Sequence, residues 1–406
     1  MITVEQALEI IVNSVQRTSR REEIPLAQAP GAVLGRDALA DTDSPPFHRA
    51  TMDGYAVIHT DGPGDYEVVE DIPAGYFPRT RLVPGKVSKI MTGAPLPEGA
   101  DAVVPVEQTG GFVDLGQLAM IKGESRPGKN IAPRGEDMKV GDVALPAGTL
   151  IRPAEVAVLA SVGCDPCHVY SRPTLAALAT GDELIPPDQK PAPGQIRNSN
   201  GPSIIALAAE MGLACRSLGP AGDNPAALEE NIRRGMDNDF LIISGGVSAG
   251  DRDLVPDILK KVGYKTLFHK VSVKPGKPTL FGMSASGRFV FGLPGNPVSS
   301  MVIFELFVRP ALCRFMGAPY DAMEVAARMT SGFHRINAER EEYLPARLEW
   351  NGDRFSAGLV EYHGSGHFRA LTRANGLVII PAGVKKTPEG SQVRARFLGN
   401  IIMPAP

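Results

Sequence analysis

The rhythm of apolar and polar residues changes several times along this chain, and each rhythm implies a different kind of element. Val4, Leu8, Ile11 and Val15 recur at helical spacing, with Thr3 and Gln6 placed for a capping box. Residues 22–45 read as short strands broken by Pro25, Pro30, Gly31 and Gly35. From Thr51 to about Gly135, strand and turn alternate around PAGYFPRT, VPGK, TGAPLPEGAD and RPGKN, leaving little room for helix. Residues 136–172 are mixed, with a helix expected over 154–162. From Pro173 the pattern becomes strand, loop, helix. Strands are expected at 174–178, 216–218, 266–273, 279–283 and 288–293, and helices at 203–211, 225–234, 254–262 and 298–309. At the centre stand Phe240, Leu241, Ile242 and Ile243, a run too short for a helix and without polar alternation, which reads as a strand buried on both faces. Beyond about Gly317, EVAARMTS, EYLPARLEW, RFSAGLVE, GLVIIPAG and SQVRARFL are short strands, with Asn351-Gly352 as a hairpin turn.

The fold class expected is therefore α/β plus β, multidomain: a central, mostly parallel α/β sheet domain over 173–317, a β-rich domain over 46–135 inserted before it, and a small C-terminal β-barrel or sandwich over 318–406. Residues 23–45 and 136–172 form a linking mixed domain, and the helix within 1–22 packs on the α/β domain. Composition agrees with a globular protein: of 406 residues, 43% are hydrophobic and 21% charged, and the 36 prolines and 44 glycines suit many turns. A net charge of -3 gives no overall attraction to nucleic acid, so any anion site must be local. The first sixteen residues hold two acids and no basic stretch, unlike a signal peptide, and no apolar run is long enough for a membrane span. A cytoplasmic protein is expected. Cys164 and Cys167 form a lone CxxC without a second ligand pair, which reads as two incidental thiols rather than a zinc site.

The candidate chemistry lies mostly where strands end. Ser244–Gly250 carries three glycines and two serines, a backbone able to aim N–H groups at an anion, and Asp251 and Asp253 follow it. KPGKP presents Lys274 and Lys277 on a loop stiffened by two prolines, with Lys270 just upstream; the loop is either an ordinary exposed turn or a cation site for phosphate, molybdate or sulfate. PGNPVS places Pro294, Gly295, Asn296 and Pro297 before a helix N-terminus, as a tight corner or as an anion-facing one. Glu183, Asp223, Asp251, Asp253, Lys274, Lys277, Pro294 and Asn296 all follow expected strands, on the edge where open α/β sheets bind ligands. Asp53 in MDGY is a plain Asp-Gly turn or a polar group brought in by tertiary folding. No Walker A, dinucleotide fingerprint, HExxH or nucleophile elbow occurs.

Taken in order, MDGYAV at 52–57, TGAPLPEGADAVVPVE at 92–107, RGED at 134–137, GDEL at 181–184, IRNSN at 196–200, SGGVSAGDRD at 244–253, KPGKP at 274–278, PGNPVS at 294–299 and GSGH at 364–367 resemble the MoeA family of molybdopterin molybdenumtransferases, whose eukaryotic counterpart is the E domain of gephyrin. The resemblance covers nearly the whole chain. It implies an enzyme that inserts molybdate into adenylylated molybdopterin, releasing AMP and forming molybdenum cofactor, with Mg²⁺. It implies catalytic positions at Asp53, Thr92, Glu183, Asp223, Asp253, Lys274 and Lys277. Substrate-binding positions fall at Gly245, Gly246, Ser248, Gly250, Lys270, Pro294, Gly295, Asn296, Pro297 and Ser365, and metal ligands at Asp53, Asp137, Glu183 and Asp253. It further implies an elongated homodimer, with contacts to a molybdopterin adenylyltransferase and to molybdoenzyme apoproteins, and no nucleic acid or membrane partner. One departure stands out: the family pattern GGVSVGExD reads GGVSAGDRD here, which puts metal contact by Asp251 in doubt while Asp253 keeps its place. Two rivals remain, a molybdopterin adenylyltransferase, typically a single small domain, and a gephyrin-like scaffold that binds partner peptides.

Overall fold

The computed structural model describes residues 1–222, 224–247, 254–320 and 322–399. The chain divides into two compact units. A smaller one is formed by Glu23–Pro30 and Arg36–Cys167, and a larger one by Met1–Glu22, Gly31–Gly35 and the chain from His168 onward.

Helix α1 (Val4–Ser14) opens the larger unit. The Thr3 hydroxyl accepts from the Gln6 N–H at 3.1 Å and the Gln6 side chain accepts from the Thr3 N–H at 2.9 Å, so the expected capping box is present. Val4, Ala7, Ile11 and Val15 are buried along its inner stripe.

In the smaller unit, β1 (Gly54–Val57), β2 (Gly64–Ile72), β3 (Lys86–Ile90), β4 (Ala102–Pro105) and β5 (Leu118–Ile121) form one mixed sheet in the order β4-β1-β3-β2-β5. Strand alternation sends Tyr55, Val57, Val87 and Val104 to one buried cluster and Ala56, Ile72, Ile90 and Val103 to another. Gly54 is demanded by strand pairing: a Cβ there would lie 2.0 Å from the Val104 carbonyl oxygen. Helix α2 (Pro153–Ser161) starts with proline in its first turn, where no N–H is needed.

The larger unit contains β6 (Leu175–Thr180), α3 (Asn200–Glu210), β7 (Cys215–Ala221), α4 (Pro225–Gly235), β8 (Phe240–Ser244), α5 (Val255–Lys261), β9 (Tyr264–His269), β10 (Leu280–Ser284), β11 (Phe289–Leu293), α6 (Pro297–Ile303) and α7 (Arg309–Met316). The strands lie in the order β7-β6-β8-β11-β10-β9, with β7, β6, β8 and β11 mutually parallel and β10 antiparallel to both its neighbours. The sheet is mostly parallel, as the strand-loop-helix rhythm implies. Central β8 shows why it lacks alternation. Phe240 and Ile242 join one core with Ile11, Leu207 and Phe304, while Leu241 and Ile243 join a second core with Leu228, Ile232 and Leu259. Both faces are covered by helices.

Two expected elements differ. The helix expected over 298–309 begins at Pro297, passes through a π-helical turn over Phe304–Val308 and continues to Met316. Pro310 lacks an N–H and its ring crowds the preceding turn, so the wider turn takes up the mismatch and the helix survives. The strand expected over 266–273 is split after His269, because Lys270 takes φ +78° and turns the chain. Val273–Lys274 then forms a separate two-residue strand.

The C-terminal strands β12 (Glu324–Met329), β13 (Glu341–Trp350), β14 (Phe355–Leu359), β15 (Gly376–Ile380) and β16 (Gln392–Phe397) pair in the circuit β13-β14-β12-β16-β15-β13. This closed five-stranded barrel leaves no free edge among its members and encloses Met329, Leu344, Leu348, Val378 and Ala395. The strand Val273–Lys274 joins it from outside, pairing parallel to β13 in the register Val273 with Glu341 and Lys274 with Glu342.

Candidate active site

Three adjacent parallel strands end on the same edge of the sheet: β6 at Thr180, β8 at Ser244 and β11 at Leu293. Their loops are tied together by Asn200, the first residue of α3. Its carboxamide NH₂ donates to Ser244 Oγ and to the Gly295 carbonyl, both at 2.7 Å. Gly245 takes φ +95°, and a Cβ there would lie 2.5 Å from the Thr180 carbonyl oxygen, so only glycine fits this turn. Gly246 follows at φ +62°. Asn296 donates to Ser365 Oγ at 2.8 Å and the Val298 N–H donates to the Ser365 carbonyl, which joins the PGNPVS and GSGH loops.

These loops and the barrel strand β13 surround a cavity of about 1740 Å³. Among the described residues five cations line it, Arg197, Lys274, Lys277, Arg335 and Arg340, against two carboxylates, Glu183 and Glu342. Glu342 is committed to cations: Lys274 Nζ lies 2.8 Å and Arg335 Nη1 2.9 Å from its two oxygens. The Glu342 and Arg335 side chains are each only 4% exposed, whereas Lys274 is 45% exposed. Arg335 also donates to the carbonyls of Val384, Arg340 and Pro381, so its buried charge is well served. Arg340 donates to the Val273 carbonyl at 3.1 Å. The excess of positive charge inside a concave wall suits an anion. Two buried oxygens at the strand ends, Thr180 Oγ1 and Asn200 Oδ1, have no hydrogen-bond partner among the described residues.

Of the residues singled out from sequence, Glu183, Lys274, Lys277, Pro294, Gly295, Asn296, Pro297 and Ser365 line the cavity. Gly245 and Gly246 turn beneath it, and Lys270 is not among its lining residues; the Lys270 N–H donates to the Thr279 carbonyl. Asp223, Ser248, Gly250 and Asp253 lie outside the described residues. Asp53, Thr92 and Asp137 belong to the smaller unit. There the Thr92 N–H and hydroxyl both donate to one Asp53 oxygen, at 2.7 and 2.6 Å, and these bonds hold the Asp53 carboxyl below the usual aspartate range. MDGY and TGAP, far apart in sequence, therefore meet. Asp137 is exposed, its N–H donating to the Ser44 carbonyl.

Among the described residues, no three His, Cys, Asp or Glu side chains gather as a cage for a metal. Within the cavity, Glu183 has no ion-pair partner among the described residues. One such carboxylate fits Mg²⁺ only as an ion held largely by water and substrate phosphates. Cys164 and Cys167 are free thiols, Cys167 donating to the Cys164 carbonyl, and burial pushes the Cys167 thiol up to about 11. No helix among the described residues is long and apolar enough to cross a membrane.

Comparison with known proteins decides the family. Residues 2–163 match the profile described as MoeA N-terminal region (domain I and II), residues 176–314 a probable molybdopterin binding domain, and residues 326–398 the MoeA C-terminal region (domain IV). The chain belongs to the MoeA family. It is 36% identical to molybdopterin molybdenumtransferase 2 of Mycobacterium tuberculosis, covering 95% of this chain and 96% of that relative. It is 32% identical to the molybdopterin molybdenumtransferase of Staphylococcus epidermidis, covering 97% and 94%. A crystal structure of the molybdopterin biosynthesis moeA protein of Pyrococcus horikoshii superposes with a TM-score of 0.83 at 30% identity, covering 99% of this chain and 100% of that one. In MoeA terms, the cavity's floor comes from the probable molybdopterin binding domain, and its Arg335, Arg340 and Glu342 come from the C-terminal region.

Reading the sequence alone missed Thr180, Asn200, Arg335, Arg340 and Glu342. IRNSN marked Asn200 as part of a motif, but an asparagine before a helix reads as a local cap. The three barrel residues carry no local signal at all, because their role comes from pairing with the lysine loop.

Proposed function

We propose that this MoeA-family chain is a molybdopterin molybdenumtransferase that inserts molybdate into adenylylated molybdopterin, with Mg²⁺-dependent release of AMP and formation of molybdenum cofactor. The observation that carries this is the cavity at the strand ends, where among the described residues five cations face two carboxylates. The names of its relatives agree with it. Molybdate and the phosphoanhydride are both anions, and two unit charges about 4 Å apart repel by about 4 kcal/mol at an effective dielectric near 20. Lys274 and Lys277, with Arg335 and Arg340 behind them, offset that repulsion and draw both substrates into one concave wall.

The residue roles belong to the same proposal. Pro294, Gly295, Asn296 and Pro297 shape the corner against Ser365, while Gly245, Gly246, Ser248 and Gly250 are the positions proposed to bind the nucleotide-linked pterin, with Lys270 nearby in sequence. Mg²⁺, when bound, screens the charge of the phosphoanhydride. Glu183, Asp53, Asp137 and Asp253 are the acids proposed to hold it. Thr92 fixes the Asp53 carboxylate in its ionised form, and Asp223 completes the polar set. The division into residues 1–22, 23–45 with 136–172, 46–135, 173–317 and 318–406 is likewise proposed, as are a homodimer, a cytoplasmic location and contacts with a molybdopterin adenylyltransferase and molybdoenzyme apoproteins.

Complementation of a strain unable to insert molybdate tests this. Wild type should restore molybdoenzyme activity, and Lys277→Ala and Asp253→Ala should not. If purified protein with ATP and Mg²⁺ adenylylates molybdopterin without inserting molybdate, the chain performs the preceding step. Full complementation by both variants would point to a scaffold.

A further inference from the structure

We propose that Glu342 is a positioning residue that holds Lys274 at the cavity wall and weakens the cavity's grip on anions while doing so. The strand Val273–Lys274 is laid against β13 in a register that sets Lys274 opposite Glu342. The Arg340 side chain donates to the Val273 carbonyl at 3.1 Å, fixing the same strand from the barrel side. Across this pairing, the Glu342 carboxylate receives Lys274 on one oxygen and Arg335 on the other.

The two cations are placed differently. Arg335 is buried and three of its four other N–H groups go to carbonyls, so it anchors Glu342 in one orientation. Lys274 is half-exposed, its ammonium ion-paired with Glu342 and otherwise open to solvent at the cavity wall. The carboxylate thus directs a flexible four-carbon side chain to one place. Its charge also cancels one of the two cations it touches, so the triad presents a net charge of one toward an incoming oxyanion. An anion seated on the open side of Lys274 lies about 6 Å from that carboxylate. Molybdate and sulfate carry two charges, so even at the dielectric of water removing the negative charge at such a distance tightens their binding by at least about tenfold. Position and affinity are thereby set against each other at one residue, and a catalyst that must release AMP and its product gains from the weaker grip.

The catalytic arm of the test rests on the molybdenumtransferase reading; the binding arm does not. Titration calorimetry with sodium molybdate and with sodium sulfate should show Glu342→Gln binding both anions at least about tenfold tighter than wild type. Turnover of the same variant should show a lower kcat together with a lower KM for molybdate, a split that general disruption of the fold does not produce. Glu342→Asp keeps the charge but shortens the reach, so it should bind anions as wild type does and still lose kcat. Because Glu342 acts through Lys274, Glu342→Gln should cause no additional loss of kcat in a Lys274→Met background. Equal or weaker anion binding by folded Glu342→Gln, or fully additive losses of kcat, would overturn the proposal. Were Glu342→Gln unable to fold, wild-type kcat in Glu342→Asp would overturn it instead. If wild type binds molybdate but inserts none, the functional reading fails while the calorimetry still decides the role of Glu342.

Discussion

Replacing Asn200 separates an oriented carboxamide from a merely polar side chain. The Asn200 NH₂ group donates to Ser244 Oγ and the Gly295 carbonyl, and the residue is 8% exposed. The carbonyl fixes which way round the amide lies, since only NH₂ can approach it. Asn200→Ala leaves the buried Ser244 Oγ without its donor, at about 1 kcal/mol, and the carbonyl of exposed Gly295 without its own at less than that, and opens a small void at about 1 kcal/mol more. Against this, Asn200 Oδ1 is itself buried without a partner among the described residues, and removing it recovers about 1 kcal/mol. The net loss is about 1–3 kcal/mol. Asn200→Asp keeps the shape but sets a buried carboxylate against the Gly295 carbonyl oxygen. Ser244 can rotate to donate, yet no cation bonds to this position among the described residues, so the loss should reach about 3–5 kcal/mol. Urea unfolding midpoints of the full chain should therefore fall in the order wild type, Asn200→Ala, Asn200→Asp. Both variants should also bind molybdate less well, because the loops after β8 and β11 lose their shared tie. An Asn200→Asp protein as stable as Asn200→Ala would show that the amide is not held as described.

Other substitutions probe other parts of the structure. Gly276 takes φ +118° and a Cβ there would meet Ile303 Cδ1 at 2.5 Å, so Gly276→Ala should cost about 2–4 kcal/mol, measured as a shifted unfolding midpoint, and raise KM for molybdate. Ser365→Ala removes a half-open hydrogen bond to Asn296 and should cost only about 0.5–1 kcal/mol while disturbing the cavity rim, so KM should move more than stability. The folded-state pKa of Asp53 is depressed by the Thr92 hydroxyl and N–H, so its ionised form contributes stability above the ordinary aspartate pKa, and this is lost as pH falls through the lower folded value. Acid titration of the thermal midpoint should accordingly flatten in Asp53→Asn. Burial pushes the Cys215 thiol up to about 12 and the Cys313 thiol up to about 11, and mass spectrometry should find both unmodified by iodoacetamide at pH 8 until the protein unfolds.

Much of the sheet could be read from the sequence because its signals are local. Phe240–Ile243 lacks polar alternation since both faces are covered, and the strand-loop-helix rhythm places Glu183 and the PGNPVS loop at one sheet edge before any coordinates are known. The barrel strands were visible as short runs, and their closure into a ring settles barrel over sandwich. What stayed hidden depends on pairing between distant segments. Lys274 reads as part of a proline-stiffened loop, and nothing nearby reveals that it forms a strand against Glu342. Gly54 reads as a turn residue, yet it is fixed by the approach of the Val104 carbonyl. The π-helical turn before Pro310 was equally silent, since periodicity expects a proline to end a helix rather than widen it.

If the cation-lined cavity joins molybdate to an adenylylated pterin, AMP release from purified adenylylated molybdopterin, followed against molybdate concentration in the presence of Mg²⁺, reports it. AMP release should depend on molybdate and saturate, with molybdenum retained on the pterin, and kcat/KM for molybdate should fall at least about tenfold in Lys277→Ala. AMP release that ignores molybdate, or that is unchanged in Lys277→Ala, would contradict it.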